Sequence, residues 1–222
     1  MRIALFSDVH GNLPALEAVF ESKEFKECKA AYCLGDLVGY YQYPNECVEL
    51  VRKHKIQSLA GNHDYACVAN EPCRDNEVGL KSQRLMQRLV SENTKRFLAS
   101  LPAKLEIEVA GKRFYLVHGS PANPRGGYVN PDDPVEVPAG FDLLAMGNTH
   151  KPFVRREGSA IVVNPGSVGQ PRDGMKGACF AVVDTVKWDV IFHRAGYDAS
   201  ELIKKVDGLG LKEAAEALRR LK

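Results

Sequence analysis

No segment of the sequence approaches the roughly 18 consecutive apolar residues that a membrane-spanning helix needs. The first segment, residues 1–7, is apolar for only about six residues before Asp8 and His10, too short for a signal-peptide core, so a cytoplasmic protein is expected. C-x-x-C pairs are also missing: the six cysteines, Cys28, Cys33, Cys47, Cys67, Cys73 and Cys179, are scattered. A chain of 222 residues buries most of its apolar surface without bridges, so these read as reduced thiols, mostly small buried hydrophobes. An excess of one charge is lacking, since 30 basic residues face 28 acidic ones for a net charge of +2 spread along the chain. That leaves no strong field to hold nucleic acid or a membrane surface. There is no internal repeat and no low-complexity linker, and 45% apolar with 26% charged residues excludes a disordered, collagen-like or coiled-coil chain. What remains is an ordinary globular protein, expected as one domain over residues 1–222 with a short helical extension at about 198–222. Its oligomeric state is left open.

Residues 3–7 are a short apolar run ending in polar residues, and residues 13–25 carry apolar side chains at helical spacing with Asn12 placed to cap them. The pattern repeats as a strand over 30–34, a loop over 35–43, a helix over 45–53 and a strand over 56–60 that ends at Gly61. Such alternation predicts parallel strands joined by crossover helices. Residues 77–101 predict a long helical stretch, interrupted near Ser91 and stopped by Pro102. From Leu105 the period becomes two, over 105–109 and 113–117, with Ala110-Gly111-Lys112 as a hairpin turn. Further strands are expected over 141–146, 153–156, 161–163, 179–184 and 188–194, with a Pro-rich loop over 120–140. Residues 199–222 read as two short helices broken at Gly208 and Gly210, with Leu211, Leu218 and Leu221 on one side and basic residues on the other.

The polar residues that suit metals do not scatter. They collect after the apolar runs, as Asp8-Val9-His10, Gly35-Asp36, Gly61-Asn62-His63-Asp64, His118-Gly119-Ser120 and Gly147-Asn148-Thr149-His150. Open α/β sheets place their ligands at the carboxyl ends of strands, and loops there let short side chains converge. Carboxylates, amide carbonyls and neutral imidazoles suit divalent Mn, Fe, Co, Ni or Zn, and no thiolate is among them. A D-x-H occurs by chance in roughly one chain in four of this length, whereas GNHD occurs in about one in a thousand, so the set is carried by its order and placement.

In that order the motifs resemble those of the calcineurin-like metallophosphoesterases: DxH, GD, GNH, a lone His and a paired GHxH, over about residues 2–195. Gly35-Asp36-Leu37-Val38-Gly39-Tyr40 and Asn164-Pro165-Gly166-Ser167-Val168-Gly169 resemble the small bacterial and archaeal phosphodiesterase branch. The resemblance implies an α/β fold of class α+β, a four-layer α/β/β/α sandwich of two mixed sheets flanked by helices. It also implies two divalent metal ions, Mn first, with Fe, Zn, Ni, Co or Mg as alternatives. One metal would take Asp8, His10 and His150; Asp36 would bridge; the second would take Asn62 and His118. His63 becomes the acid beside them, provided its pKa lies near neutrality, with Asp64 as its orienting partner. The implied activity is hydrolysis of phosphodiester or nucleotide-like phosphate esters by a metal-bridging hydroxide, two cations roughly 3.5 to 4 Å apart stabilising in-line displacement. One departure matters: the first His of GHxH is Asn148 here, a weaker and harder ligand, which implies looser binding of the second metal and a shift from Zn toward Mn or Mg.

Bland readings stand beside these. Asp and Asn often make turns at strand ends, which would account for Asn148 without a metal. Arg172 either clamps a substrate phosphate together with Asn62 and His63 or is a solvated loop residue. The glycines of residues 164–169 either expose amides to phosphate or make a tight turn. Tyr40, Tyr41 and Tyr43 either stack on a base or aryl group or pack the loop. Residues 211–222 either contact a partner or present a solvated face. His54 and His193 have no ligand neighbours in the sequence and are assigned no role. Two other functions stay in view, a non-catalytic binding scaffold, motivated by Asn148, and a dinucleoside polyphosphate hydrolase. Residues 65–80 and 120–140 are expected to form the rim of the site.

Overall fold

A computed structural model describes residues 1–73, 76–209 and 211–220, with residue 213 described by its backbone alone. Its first part follows the expected alternation: β1 (Arg2–Phe6), α1 (Leu13–Glu21), α2 (Lys23–Lys26), β2 (Ala30–Cys33), α3 (Pro44–Lys53) and β3 (Gln57–Ser58). The strands run parallel, with Ile3 opposite Ala30 and Cys33 opposite Ser58. Asn12 caps α1 as expected, its Oδ1 accepting from the Ala15 amide at 3.2 Å. The helix expected over 13–25 is broken at Ser22, whose backbone turns extended and whose hydroxyl accepts from the Phe25 amide to start α2. Three more helices follow, α4 (Asn62–Ala69), α5 (Glu77–Leu89) and α6 (Glu92–Ala99), the last capped by Ser91 where the interruption was expected. Helix α4 was not anticipated, because Gly61-Asn62-His63-Asp64 reads as a polar loop.

The second part supplies β4 (Lys104–Val109), β5 (Lys112–Val117), β6 (Leu143–Ala145), β7 (Phe153–Glu157), β8 (Ala160–Asn164), β9 (Ala178–Asp184), β10 (Asp189–Ala195), α7 (Ser200–Gly208) and α8 (Lys212–Arg220). The β4–β5 turn is shorter than expected: Lys112 already pairs with Val109, leaving Ala110 and Gly111 as the loop, both at positive φ. Gly208 ends α7 as expected, while Gly210 and Leu221 lie outside the described residues. Two five-stranded mixed sheets result, ordered β10-β9-β1-β2-β3 and β4-β5-β6-β8-β7.

Alternation along the buried strands divides the core. Ile3, Leu5, Ala181 and Val183 of one sheet meet Phe114, Leu116, Leu143 and Val163 of the other, closing the seam of a sandwich. Ala4, Phe6, Phe180 and Val182 point outward, where Leu16, Val51, Met86, Leu98 and Leu218 of the helices cover them. The outer face of the second sheet, with Tyr115, Val117, Leu144 and Val162, is covered differently: Val129, Val135, Val137 and Phe141 of the Pro-rich segment lie over it. The sandwich flanked by helices is therefore present, with irregular chain as its outermost layer on the second sheet. Among the described residues no helix is long and apolar enough to cross a membrane.

Candidate active site

The five polar segments meet at one end of both sheets. Asp8 and His10 leave β1, Asp36 leaves β2, Asn62 and His63 open α4 just beyond β3, His118 leaves β5, and Asn148 and His150 leave β6. All these strands run parallel within their sheets, which is why their carboxyl ends coincide. Asp8, His10, Asp36, Asn148 and His150 all adopt left-handed φ between 53 and 66°. For residues other than glycine such backbone costs of order 1–3 kcal/mol each and persists only where the surroundings impose it. Two glycines make room: a Cβ on Gly39 would stand 2.6 Å from His10 Nδ1, and one on Gly61 would stand 2.1 Å from Asp36 Oδ1.

Three imidazoles are oriented alike. Nδ1–H of His10 donates to the Val38 carbonyl (3.2 Å), that of His118 to Leu34 (2.7 Å) and that of His150 to Gln170 (2.6 Å). This leaves Nε2 as the inward atom of each ring. His10 Nε2 and His150 Nε2 then lie 3.1 Å apart, with Asp8 Oδ1 3.2 Å from His150 Nε2 and 3.7 Å from His10 Nε2. Beside them His118 Nε2 lies 3.3 Å from Asp36 Oδ2 and 3.2 Å from Asn62 Oδ1. Acceptors facing one another in a buried place repel unless a proton or a cation lies between them, and Asp8 Oδ1 is buried without a hydrogen-bond partner. The donor set therefore fits divalent cations of the harder N/O class. The groupings Asp8–His10–His150 and Asp8–Asp36–His118 each converge closely enough to hold one ion.

The electrostatics agree. Burial opposes ionisation of Asp8 and Asp36, but the rings of His150, His10 and His118 around the first and of His118 and His63 around the second hold both carboxyls below their usual range. Burial likewise opposes charge on His118, yet Asp36 and Asp8 outweigh it and raise the ring to about 10. The same two carboxylates would attract a cation. Burial lowers His150 to about 4 and His63 to about 3, so both rings are neutral near pH 7. The condition set for His63 as an acid, a pKa near neutrality, is thus not met; its ring packs between His10 and Tyr40, centroids 4.7 and 4.6 Å away.

Asp64 does not orient His63. Its carboxylate accepts from the amides of Asp36 (2.7 Å), Gly61 (3.0 Å) and Val38 (3.1 Å), tying the loop of Asp36 to the start of α4. Burial and the nearby Asp36 push this carboxyl up to about 6. Asn148 reaches the mouth of the site, where its Nδ2 donates to the Gly127 carbonyl at 2.9 Å and its own amide donates to Asp8 Oδ2 at 3.2 Å. Its left-handed backbone is one that Asn tolerates well, a reason for Asn here that needs no metal. The Arg172 guanidinium donates to Tyr128 Oη (3.2 Å) and Gln170 Oε1 (2.9 Å), and its amide donates to the His150 carbonyl (3.1 Å), so it stands beside the site.

The loop over 164–169 does not offer its amides to phosphate: Val168 and Gly169 donate to the carbonyls of Ser7 and Asp8, and Gly166 to Asn164 Oδ1. Tyr41 is fully buried and Tyr43 meets Lys205, so neither can stack on a substrate; Tyr40 lies against the rings of His10 and His63. His54 and His193 pack on Phe20 and Phe180, away from the site. Sequence reasoning gave no role of their own to Gly39 and Gly61, which it named only within motifs, and none to Tyr128. The flanking GD and GNH signatures were the only signal for the glycines.

Comparison with known proteins agrees with this geometry. The chain is 35% identical over 221 residues to uncharacterized protein MJ0912 of Methanocaldococcus jannaschii, covering 92% of this chain and 91% of the relative. It is 26% identical over 176 residues to phosphodiesterase YfcE of Escherichia coli K12, covering 78% of this chain and 83% of that protein. The crystal structure of a metallophosphoesterase from Sphaerobacter thermophilus, 32% identical, superposes with a TM-score of 0.84 over 100% of this chain and 99% of that one. The model of the calcineurin-like phosphoesterase superfamily domain matches residues 1–187, and the chain belongs to that superfamily.

Proposed function

We propose that the chain is a metal-dependent phosphodiesterase holding two divalent ions, one on Asp8, His10 and His150 and one on Asn62 and His118, with Asp36 shared. The observation that carries this is the convergence of inward Nε2 atoms on two ionised carboxylates, one of them with a buried, unpartnered oxygen. The oxygen of Asn148 is the remaining ligand for the second ion, since its nitrogen is held by Gly127. Mn fits this amide-bearing set better than Zn. When bound, such ions supply the charge that activates water and stabilises the phosphoryl oxygens during displacement.

The protein's own groups do the rest. Asp8 and Asp36 stay ionised as ligands, and the Nδ1–H bonds of the three histidines keep the rings from turning. His63, held neutral by burial, serves as a hydrogen-bond donor to a substrate oxygen. Arg172, fixed by Tyr128 and Gln170, offers positive charge to a substrate oxygen beside the site. Diesters are favoured over monoesters because a relative is named a phosphodiesterase. The converging ligand atoms weigh against a scaffold, which has no need of them.

The test is hydrolysis of p-nitrophenyl phosphate and bis-p-nitrophenyl phosphate by chelator-stripped protein titrated with Mn while bound metal is counted. Turnover should rise with the second equivalent and favour the diester. Asp36→Asn should bind fewer equivalents and lose about a thousandfold in turnover with unchanged ellipticity. Full activity in that variant sinks the assignment.

A further inference from the structure

Two cavities flank the candidate active site, and they differ in chemistry. The first, about 490 Å³, is lined by Asn62, Asn148, Tyr128 and Cys73, with no charged group among its described residues. The second, about 310 Å³, is lined by Tyr40 and Arg172 on one side and by Leu211, Ala214, Ala217 and Arg220 of the terminal helix on the other. Arg172 stands between the two, because it lines the second cavity while donating to Tyr128 Oη of the first. Tyr40 joins the second cavity to the site through its contacts with the His10 and His63 rings.

The terminal helix is held firmly enough to form a wall. Ala215 and Leu218 are fully buried against the helical core, and Tyr41 Oη donates to the Ala214 carbonyl at 3.4 Å. Leu211, just before α8, and Ala214, Ala217 and Arg220 along it line the cavity. Its two terminal arginines have different fates: Arg219 pairs with Asp207, whereas among the described residues Arg220 has no carboxylate partner. The described lining thus holds two guanidinium groups and no carboxylate, with Val78, Leu211, Ala214 and Ala217 as its apolar part and Asn76 and Gln170 as further polar groups.

We propose that the second cavity receives one ester arm of the substrate and that this arm carries a further phosphate, its organic spacer lying on Leu211, Ala214 and Ala217 and its charge meeting Arg172 and Arg220. The other arm, in the first cavity, is uncharged. This rests on the phosphodiesterase reading and narrows it to diesters with a second anionic group. Guanidinium pairs suit phosphate because they donate in a planar fork.

The experiment compares two chromogenic diesters with the same leaving group, thymidine 5′-(p-nitrophenyl phosphate) and its 3′-phosphorylated counterpart, on the Mn-loaded full chain. The native protein should show a KM about tenfold lower for the second, and Arg220→Glu should erase that ratio while Arg220→Lys retains most of it. Equal KM values on native protein, or a ratio that survives Arg220→Glu, overturns the proposal. If neither diester is hydrolysed, the phosphodiesterase reading fails by itself, and calorimetric binding of thymidine 3′,5′-bisphosphate decides the cavity separately. Weaker binding to Arg220→Glu than to Arg220→Lys supports it, and equal binding overturns it.

Discussion

At the scale of single residues, the site is built as much by what is absent as by its ligands. Gly61 has ordinary extended backbone, so no unusual φ demands glycine there; the demand comes from Asp36, whose Oδ1 and amide would lie 2.1 and 2.6 Å from an added Cβ. Gly61→Ala should therefore displace the carboxylate proposed to be shared, lowering bound Mn and cutting turnover at least a hundredfold, while overpacking costs about 1–3 kcal/mol of stability. Counting metal on the variant and following its thermal unfolding checks this, and native metal content with native turnover would show that the placement of Asp36 is unimportant. The metal-type residues themselves were legible because Asp, Asn and His follow apolar runs in fixed order. Their left-handed backbones were not, since a φ near 55° at Asp8 or His10 is imposed by neighbouring loops rather than by local preference. Asp64 misled for a related reason. A carboxylate next to a histidine reads as its partner, yet three backbone amides distant in sequence or across a turn claim it first.

Elements were readable where a cap or a clean period marked them and obscure where function shaped the sequence. Asn12 and Ser91 start α1 and α6 as their side chains announce, and β4 shows Leu105 and Ile107 facing the seam with Glu106 and Glu108 outside. Helix α4 stayed hidden because its first turn carries Asn62, His63 and Asp64, chosen for the site and for the amides at the N-terminus rather than for helical periodicity. Among turns, the β4–β5 hairpin carries a correctable strain. Its two-residue loop places Ala110 at φ 53° and Gly111 at φ 74°, the type I′ geometry that favours Asn then Gly. Alanine pays about 1 kcal/mol for that backbone, which asparagine largely avoids. Ala110→Asn should thus raise stability by about 0.5–1 kcal/mol and the melting temperature by about 1 to 4 °C, with turnover unchanged because the turn lies at the opposite end of β5 from His118. A lower melting temperature would mean that the hairpin is not under this strain.

At the scale of the whole molecule, the candidate site exists only while both sheets are joined. Asp8, His10, Asp36 and Asn62 hang from the first sheet and its following helix, whereas His118, Asn148 and His150 hang from the second. Neither of the two proposed ions has all its ligands on one sheet, so the apolar seam that clamps the sheets is also what assembles the proposed pair. Phe114 sits fully buried in that seam against Trp188, with ring centroids 6.1 Å apart, and Trp188 is the one tryptophan of the sequence. Its fluorescence therefore reports on the seam, while far-ultraviolet ellipticity reports on the helices outside the first sheet. If residues 1–222 act as one cooperative unit, fluorescence, ellipticity and release of Mn to a chromogenic chelator should share a single urea midpoint. Phe114→Ala should move all three together, by about 3–5 kcal/mol, because it empties volume where the sheets meet. Release of metal well before the tryptophan signal changes would mean that the loops open while the seam stays closed. The fold would then be more divisible than a shared core allows.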